Sequence, residues 1–332
     1  VCAGGASNST RRRAGALWAL LFLAAWPATG GAIELPQVPN FRMNLDDQGI
    51  LGVDAATSAR AFDPIISTGL QYLVRPLVVR IEGTTRRQLL QERMALGVGG
   101  AMRLWGALSV GANVDLALFQ NGNTPTVVGA GAGQVADLAW SDPTLWLKYV
   151  FHDERDGELG YALVMPIGLP LGTADAYVGR SSVAVDPTAV VSTRDGPWRY
   201  AANLGTRLQS TMTAYNVEDG PVLHAEVGMS RLGVTSDYLM PRWWLDLALS
   251  WQTPLDGPFR DRYLERVEAH ASVRLPMGFG LHAIFGTGMG LWPGFGVPML
   301  RPFVMLRYTR PESAPGAPRI QKTDDPLGVP GI

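Results

Sequence analysis

His270 and Ser272 stand two apart, so on an extended strand both would project from one face. A histidine base beside a serine hydroxyl is the minimum equipment for nucleophilic catalysis. Glu268 and Arg274 continue that face, however, and a hydrogen-bonded polar row is the plainer reading of the four. The other histidines, His152, His224 and His282, are widely separated, and none has the spacing of metal ligands. The single cysteine, Cys2, lies at the very start. No metal and no cofactor are therefore expected. Gly129-Ala130-Gly131-Ala132-Gly133 and Gly286-Thr287-Gly288-Met289-Gly290 are rich in glycine. Neither follows a strand and opens a helix, as a phosphate cradle must; the first reads as an external loop and the second as a close-packed strand. A formal net charge of −1 leaves no electrostatic footprint for nucleic acid. On these grounds the chain is not expected to be an enzyme.

The charged residues make sense only through the elements that carry them. In 107–119, Leu108, Val110, Ala112, Val114, Leu116 and Leu118 fall on one face, and Ser109, Gly111, Asn113, Asp115 and Ala117 on the other. A period of two marks a strand with one apolar and one polar face. The same alternation recurs at 198–209, 223–230, 243–252 and 267–275, and more weakly at 69–81, 89–102, 136–151, 158–169, 180–193, 279–290 and 299–309. Asp142-Pro143 interrupts the 136–151 segment and predicts a bulge or bend. The sum is about twelve strands, each near the ~9–11 residues that cross a bilayer at a tilt.

Aromatic residues close the apolar faces: Tyr149, Phe151, Trp198, Tyr200, Trp243, Trp251 and Tyr308. Such a girdle belongs where a barrel wall meets lipid headgroups. Short connections alternate with long ones, which is the outer-membrane arrangement. The fold class is therefore all-β: an antiparallel, up-and-down transmembrane barrel. With a hydrophobic share of 47% and a mean hydropathy of only +0.08, a polytopic helical membrane protein is excluded. The polar faces place Arg93, Asp115, Lys148, Arg199, Arg207, Glu226, Asp246, Glu268, Arg274 and Arg307 inside. Cations slightly outnumber anions there, so the expectation is a narrow lumen threaded by Arg–carboxylate pairs, with small, weakly anion-preferring conductance.

The flanks divide as follows. Arg11-Arg12-Arg13, the apolar stretch Ala14–Trp26, Pro27 and the small residues Gly30-Gly31-Ala32 read as a secretory signal peptide over 1–32. Residues 33–68 are expected to form a periplasmic N-terminal segment at the mouth of the pore. The barrel is expected over 69–310, and 311–332 is a Pro-rich tail read as disordered linker.

Leu45-Asp46-Asp47-Gln48-Gly49-Ile50-Leu51-Gly52-Val53-Asp54-Ala55-Ala56 is followed by Gly69-Leu70-Gln71-Tyr72-Leu73-Val74-Arg75-Pro76-Leu77. Further on come Ser141-Asp142-Pro143-Thr144-Leu145-Trp146-Leu147-Lys148-Tyr149 and Met165-Pro166-Ile167-Gly168-Leu169-Pro170-Leu171-Gly172. Together they resemble the N-terminal barrel of large OmpA-family, porin-like outer-membrane proteins of myxobacteria and related bacteria. The resemblance implies a bacterial outer-membrane location, with outer-membrane lipid, lipopolysaccharide and the barrel-assembly machinery as partners. In that family the barrel often continues into a peptidoglycan-binding domain; the tail after Tyr308 is too short to hold one. Two functions are expected: a narrow passive pore for small solutes, or a structural or adhesive barrel whose lumen is closed by side chains or by the N-terminal segment. An outer-membrane lipid hydrolase is the remote third. Outer-membrane phospholipase A enzymes use a histidine and serine spaced like His270 and Ser272, but facing lipid.

Overall fold

The computed structural model describes residues 37–38, 41–42, 44–46, 48–81, 85–122, 136–157, 159–173, 176–180, 182–214, 217–234, 242–259, 264–292 and 296–310. The expected signal peptide over 1–32, the glycine-rich 129–133 and residues 311–332 lie outside them. Twelve strands form the wall: β1 Pro64–Ile81, β2 Thr85–Trp105, β3 Leu108–Gly122, β4 Thr144–His152, β5 Leu159–Gly168, β6 Thr188–Asp195, β7 Trp198–Arg207, β8 Val222–Val234, β9 Arg242–Pro254, β10 Arg266–Gly278, β11 Leu281–Trp292 and β12 Arg301–Thr309. Each pairs antiparallel with the next. β12 returns to β1 in the register Ile65↔Thr309 to Gln71↔Phe303, which closes the sheet. Closure is what a sheet in lipid requires, because an open edge would strand backbone groups at several kcal/mol each.

The alternation sets which face points where. Leu70, Val98, Leu145, Leu204, Leu247 and Val304 are exposed on the outside, while Arg93, Lys148, His224 and Arg301 are almost wholly buried inside. That is a soluble barrel turned inside out, with lipid as the outer solvent. The two ends differ. Tight turns at Gly106, Gly196 and Gly278–Gly280 mark one end, each with a glycine at positive φ; both ends of the closed sheet, Pro64 and Thr309, lie there too. Most connections at the other end are long. The exception is the β1–β2 hairpin, whose strands of 18 and 21 residues run past the rest of the wall. Its register slips between Val74 and Leu77, where Arg75 takes φ +48° and Pro76 has no N–H to give the ladder.

Two Asp-Pro pairs interrupt the pattern. Ala139–Trp140 and Thr144–His152 both pair with β3, so Ser141-Asp142-Pro143 is a bulge in what is otherwise one strand. Asp186-Pro187 likewise separates Ala184–Val185 from β6. The wall begins at Pro64 rather than at 69. Before it, only 59–63 lie at the barrel mouth, with Phe62 exposed there; the described residues of 37–58 run inside the lumen, because their polar groups find partners there and their apolar side chains find a dry wall.

Candidate functional site

The lumen is filled by two inserts. One is the loop between β5 and β6, whose Ala176, Tyr177 and Val178 are buried against Val38, Leu73, Leu77, Leu89 and Leu90 near the long-loop end. The other is the segment 37–58. Val38 N–H donates to Tyr177 O at 3.0 Å, joining the two inserts. Below it, Phe41 stacks on Phe303 at 4.8 Å between ring centroids and lies 5.1 Å from the His270 ring. The segment then descends to Gln48, turns, and leaves through the short-turn end.

The turn is Ile50-Leu51-Gly52-Val53, with reciprocal backbone bonds of 2.8 and 2.9 Å and φ of +45° and +93° at its centre. It packs against Ala201 and Ala248. Gly228 makes the room: a Cβ there would come within 3.1 Å of Ile50. The hub of the insert is Asp46. It accepts from Ala55 N at 3.1 Å, Gln48 N at 3.2 Å and Thr57 Oγ1 at 3.0 Å, and from the Lys148 ammonium on β4. Arg42 pairs with Asp54 within the insert at 2.6 Å.

Six cations donate to backbone carbonyls of this segment. From the long-loop end downward they are Arg93 to Val38 O (3.2 Å), Arg307 to Asn44 O (3.2 Å), Arg199 to Gln48 O (3.2 Å) and Lys148 to Ala55 O (2.6 Å). Arg155 to Ser58 O and Arg103 to Ala59 O (3.0 Å) complete the series at the short-turn end. Five of these six reside on the wall strands and one, Arg155, on the turn after β4.

The remaining inward residues pair with carboxylates of wall and loop. Arg274 Nη2 bonds Asp246 Oδ1 at 3.0 Å, and Asp246 also accepts from Ser230 at 2.5 Å. Arg301 Nε meets Glu268 Oε1 at 2.8 Å. Arg207 Nε meets Asp186 Oδ2 at 3.2 Å, and His224 Nε2 lies 2.6 Å from the other Asp186 oxygen. Glu226 accepts from Asn203 at 3.2 Å, and Asp115 takes Ser141 Oγ as acceptor for its backbone N–H. Arg199 Nε lies 2.8 Å from Glu154 Oε1, close enough for an ion pair but without hydrogen-bond alignment. Burial opposes ionisation of Asp186, yet Arg207 and His224 outweigh it and hold the carboxyl below its usual range. At the other Asp-Pro corner, burial wins: the Asp142 carboxyl is pushed up, although it accepts from Gly172 and Arg180 N–H groups at 2.8 Å each.

His270 and Ser272 both face this lumen, not the lipid, and His270 is occupied by Phe41 on one side and Glu268 on the other. Among the described residues, no group of three or more His, Cys, Asp or Glu could hold a metal ion. Of the aromatics singled out by the alternation, Tyr149, Phe151, Trp198, Tyr200, Trp243 and Tyr308 lie at the short-turn end, and Trp251 at the long-loop end, stacked on Phe259 at 5.3 Å. Trp105, Phe279 and Trp140, all strongly exposed, were not part of that set, since each stands in or beside a turn where alternation stops.

Sequence reasoning also missed Arg301, Arg103 and Arg266, although Arg301 shares a period-two face with Arg307. It gave closure of the lumen by the N-terminal segment as one alternative but placed no particular residue of the insert, because residues 41–58 have no periodicity to read. Two cavities of about 100 and 140 Å³ lie beside the insert, both bordered by Phe41, Arg42 and Arg207.

No protein-family model matches the chain, and no curated protein matches it. Among solved structures, the COG4313 outer membrane channel from Pseudomonas putida F1 is similar, with a TM-score of 0.52 and 11% identity over 76% of this chain and 97% of that one. The NanC porin aligns with a TM-score of 0.46 and 6% identity over 75% of this chain and all of that one. The Pseudomonas putida toluene transporter TodX aligns with a TM-score of 0.41 and 10% identity over 82% of this chain. The first of these likenesses establishes the kind of fold: a closed twelve-stranded barrel of the outer-membrane channel type.

Proposed function

We propose that the chain is a passive pore of the bacterial outer membrane for small solutes, held shut at rest by its own N-terminal segment. The observation that carries this reading is the insert itself. Wall side chains alone fill a barrel of about eight strands, and twelve enclose a wider lumen. Here the filling is a separate stretch of chain, tethered at Pro64 and seated by hydrogen bonds to side chains rather than by a continuous strand ladder. Such a stretch can leave without breaking the wall. The short-turn end, with the tether, faces the periplasm, and the barrel-assembly machinery inserts the wall into lipid and lipopolysaccharide. The likeness to OmpA-family barrels fits this reading, since the segments that carry it are the insert and the strands it touches: Asp46 meets Lys148, and Phe41 N–H meets Gln71.

Planar-bilayer recording of the refolded protein tests the proposal. The parent should be closed most of the time, with small, brief openings. Asp46→Asn, which removes the carboxylate from the hub, should raise the open fraction at least tenfold. Silence from both proteins would favour the competing structural or adhesive barrel with a permanently closed lumen.

A further inference from the structure

The insert does more than fill space: it supplies acceptors to cations of the wall. Among the described residues, every hydrogen-bond acceptor of the Arg93 guanidinium is neutral: Gln120 Oε1 at 2.8 Å and the carbonyls of Val38, Ala176 and Tyr177. Both acceptors of Lys148, Asp46 and Ala55 O, belong to the insert. Arg199 and Arg307 reach the insert at Gln48 and Asn44. The carboxylates of the same wall, Asp246 and Glu268 among them, are engaged with other arginines.

One level of the lumen is more explicit. Across four neighbouring strands run Arg199, Ser230, Asp246 and Ser272, in direct register, with Arg274 one step along β10. Three buried donors on this row, Arg199 Nη2, Arg274 Nε and Ser272 Oγ, have no hydrogen-bond acceptor among the described residues. Arg199 and Arg274 are each about nine-tenths buried. Buried cationic N–H groups left without acceptors are costly and rare, so this row is short of oxygen atoms. Asp246 supplies some, to Ser230 and to the other Arg274 nitrogen, and Gln48 offers its amide oxygen to Arg199.

We propose that the row and the cations above and below it form a binding track for anionic solutes, carboxylates or phosphates, whose place the carbonyl oxygens of the insert take while the pore is shut. This inference rests on the pore reading above and assigns the class of solute. When the insert withdraws, it takes Asp46 and its carbonyls with it. Lys148 then loses both its acceptors and Arg93, Arg199 and Arg307 lose one each or more, in a low-dielectric tube that concentrates counter-ions. An oxyanion entering finds the donors already spaced for oxygen, and bidentate arginine geometry suits carboxylate and phosphate alike.

Two measurements on the full-length protein test this. In a potassium chloride gradient, the openings of Asp46→Asn should give a reversal potential of anion selectivity. Arg93→Gln with Lys148→Gln added should reduce the permeability ratio several-fold. Citrate and pyrophosphate, added in turn, should each block, and the stronger blocker identifies the preferred oxyanion. Independently of any current, Trp146 is buried in the lumen with the Lys148 ammonium 5.9 Å from its ring. Its fluorescence, taken as the difference from Trp146→Phe, should be quenched by iodide and not by caesium once the insert is loosened. Phe41→Ala is the second loosening variant, should Asp46→Asn fold poorly. Potassium carried as readily as chloride, or caesium quenching equal to that by iodide, overturns the track. Iodide-selective quenching without any current upholds the track and removes the pore reading instead.

Discussion

Lys148 and Arg274 are both inward-facing cations on wall strands, and both are almost wholly buried, yet they are satisfied in opposite ways. Arg274 finds Asp246 on the adjacent strand, and Asp246 is braced by Ser230 from the strand beyond. Its ion pair is part of the wall and forms as the hairpins form. Lys148 has no such neighbour. Its carboxylate, Asp46, arrives from a segment separated from it by 102 positions. One arc of the barrel, β8 to β10, is therefore complete in the pairing of its buried cation, although Arg274 Nε and Ser272 Oγ find no acceptor among the described residues. In the other, β2 to β4, the carboxylate of Lys148 comes from the insert. A buried charge gains from a partner at short range and pays a large penalty without one, so the second arc is stable in its present form only while the insert is seated.

The largest expected effect follows from separating the two arcs. Asp46→Ala and Asp246→Ala each strand a buried cation, at a cost of about 3–5 kcal/mol. The cost should land in different places. With Asp46→Ala the insert should unseat while the wall persists. Trypsin should then cleave after Arg42, and the barrel should keep its resistance to detergent unfolding. With Asp246→Ala the wall should unfold at lower denaturant, with Arg42 still protected before the transition. Equal protection of Arg42 in the two variants would erase the distinction between the arcs. A somewhat smaller effect probes the outside of the complete arc. Leu247 is exposed on the apolar face of β9, and Leu247→Arg should cost about 2–4 kcal/mol near the bilayer midplane. It should leave trypsin cleavage at Arg42 unchanged. If Leu247→Arg and Leu247→Ala fold equally well in a lipid titration, that face does not meet lipid.

The same contrast decides what could be read from sequence. The complete arc was readable because its contacts are cross-strand neighbours. Once β8, β9 and β10 alternate, Ser230, Asp246, Ser272 and Arg274 must share a face. The barrel itself was readable for that reason, as was the bulge at Asp142-Pro143, where proline removes a ladder donor. The incomplete arc was not. Asp46, Asp54 and Phe41 lie in a segment with neither a period of two nor one of 3.6, and nothing local states that Leu45 packs over Gly99 and Gly111. Gly111 was visible on the polar face of its strand; what it makes room for was not. Asp186-Pro187 repeats the Asp142-Pro143 pair, and that repetition was a usable signal that the alternation alone obscured.

Those two corners give the smallest effect and a difference of sign. Asp186 is held below the usual carboxylate range in the folded protein by Arg207 and His224, against its burial. A group with a depressed folded pKa contributes stability that is complete above its unfolded value, about 4, and is lost as the pH falls below it. Asp142 is raised by burial, so it binds a proton more readily when folded. Its contribution is greatest below the unfolded value and is lost as the pH rises through the raised one. Asp186→Asn should therefore destabilise the barrel by about 1.5–3 kcal/mol at neutral pH, the worth of hydrogen bonds to a charged group, and the deficit should shrink in acid. Asp142→Asn keeps an oxygen for the Gly172 or Arg180 N–H and should cost only about 1 kcal/mol at neutral pH. Its deficit should grow as the pH falls, because the parent regains a stable, protonated carboxyl that the variant cannot match. Urea unfolding of the three proteins between pH 3 and pH 7 gives both slopes. Parallel slopes would mean that Arg207 and His224 do not set Asp186 apart, and that the two Asp-Pro corners differ only in their position along the chain.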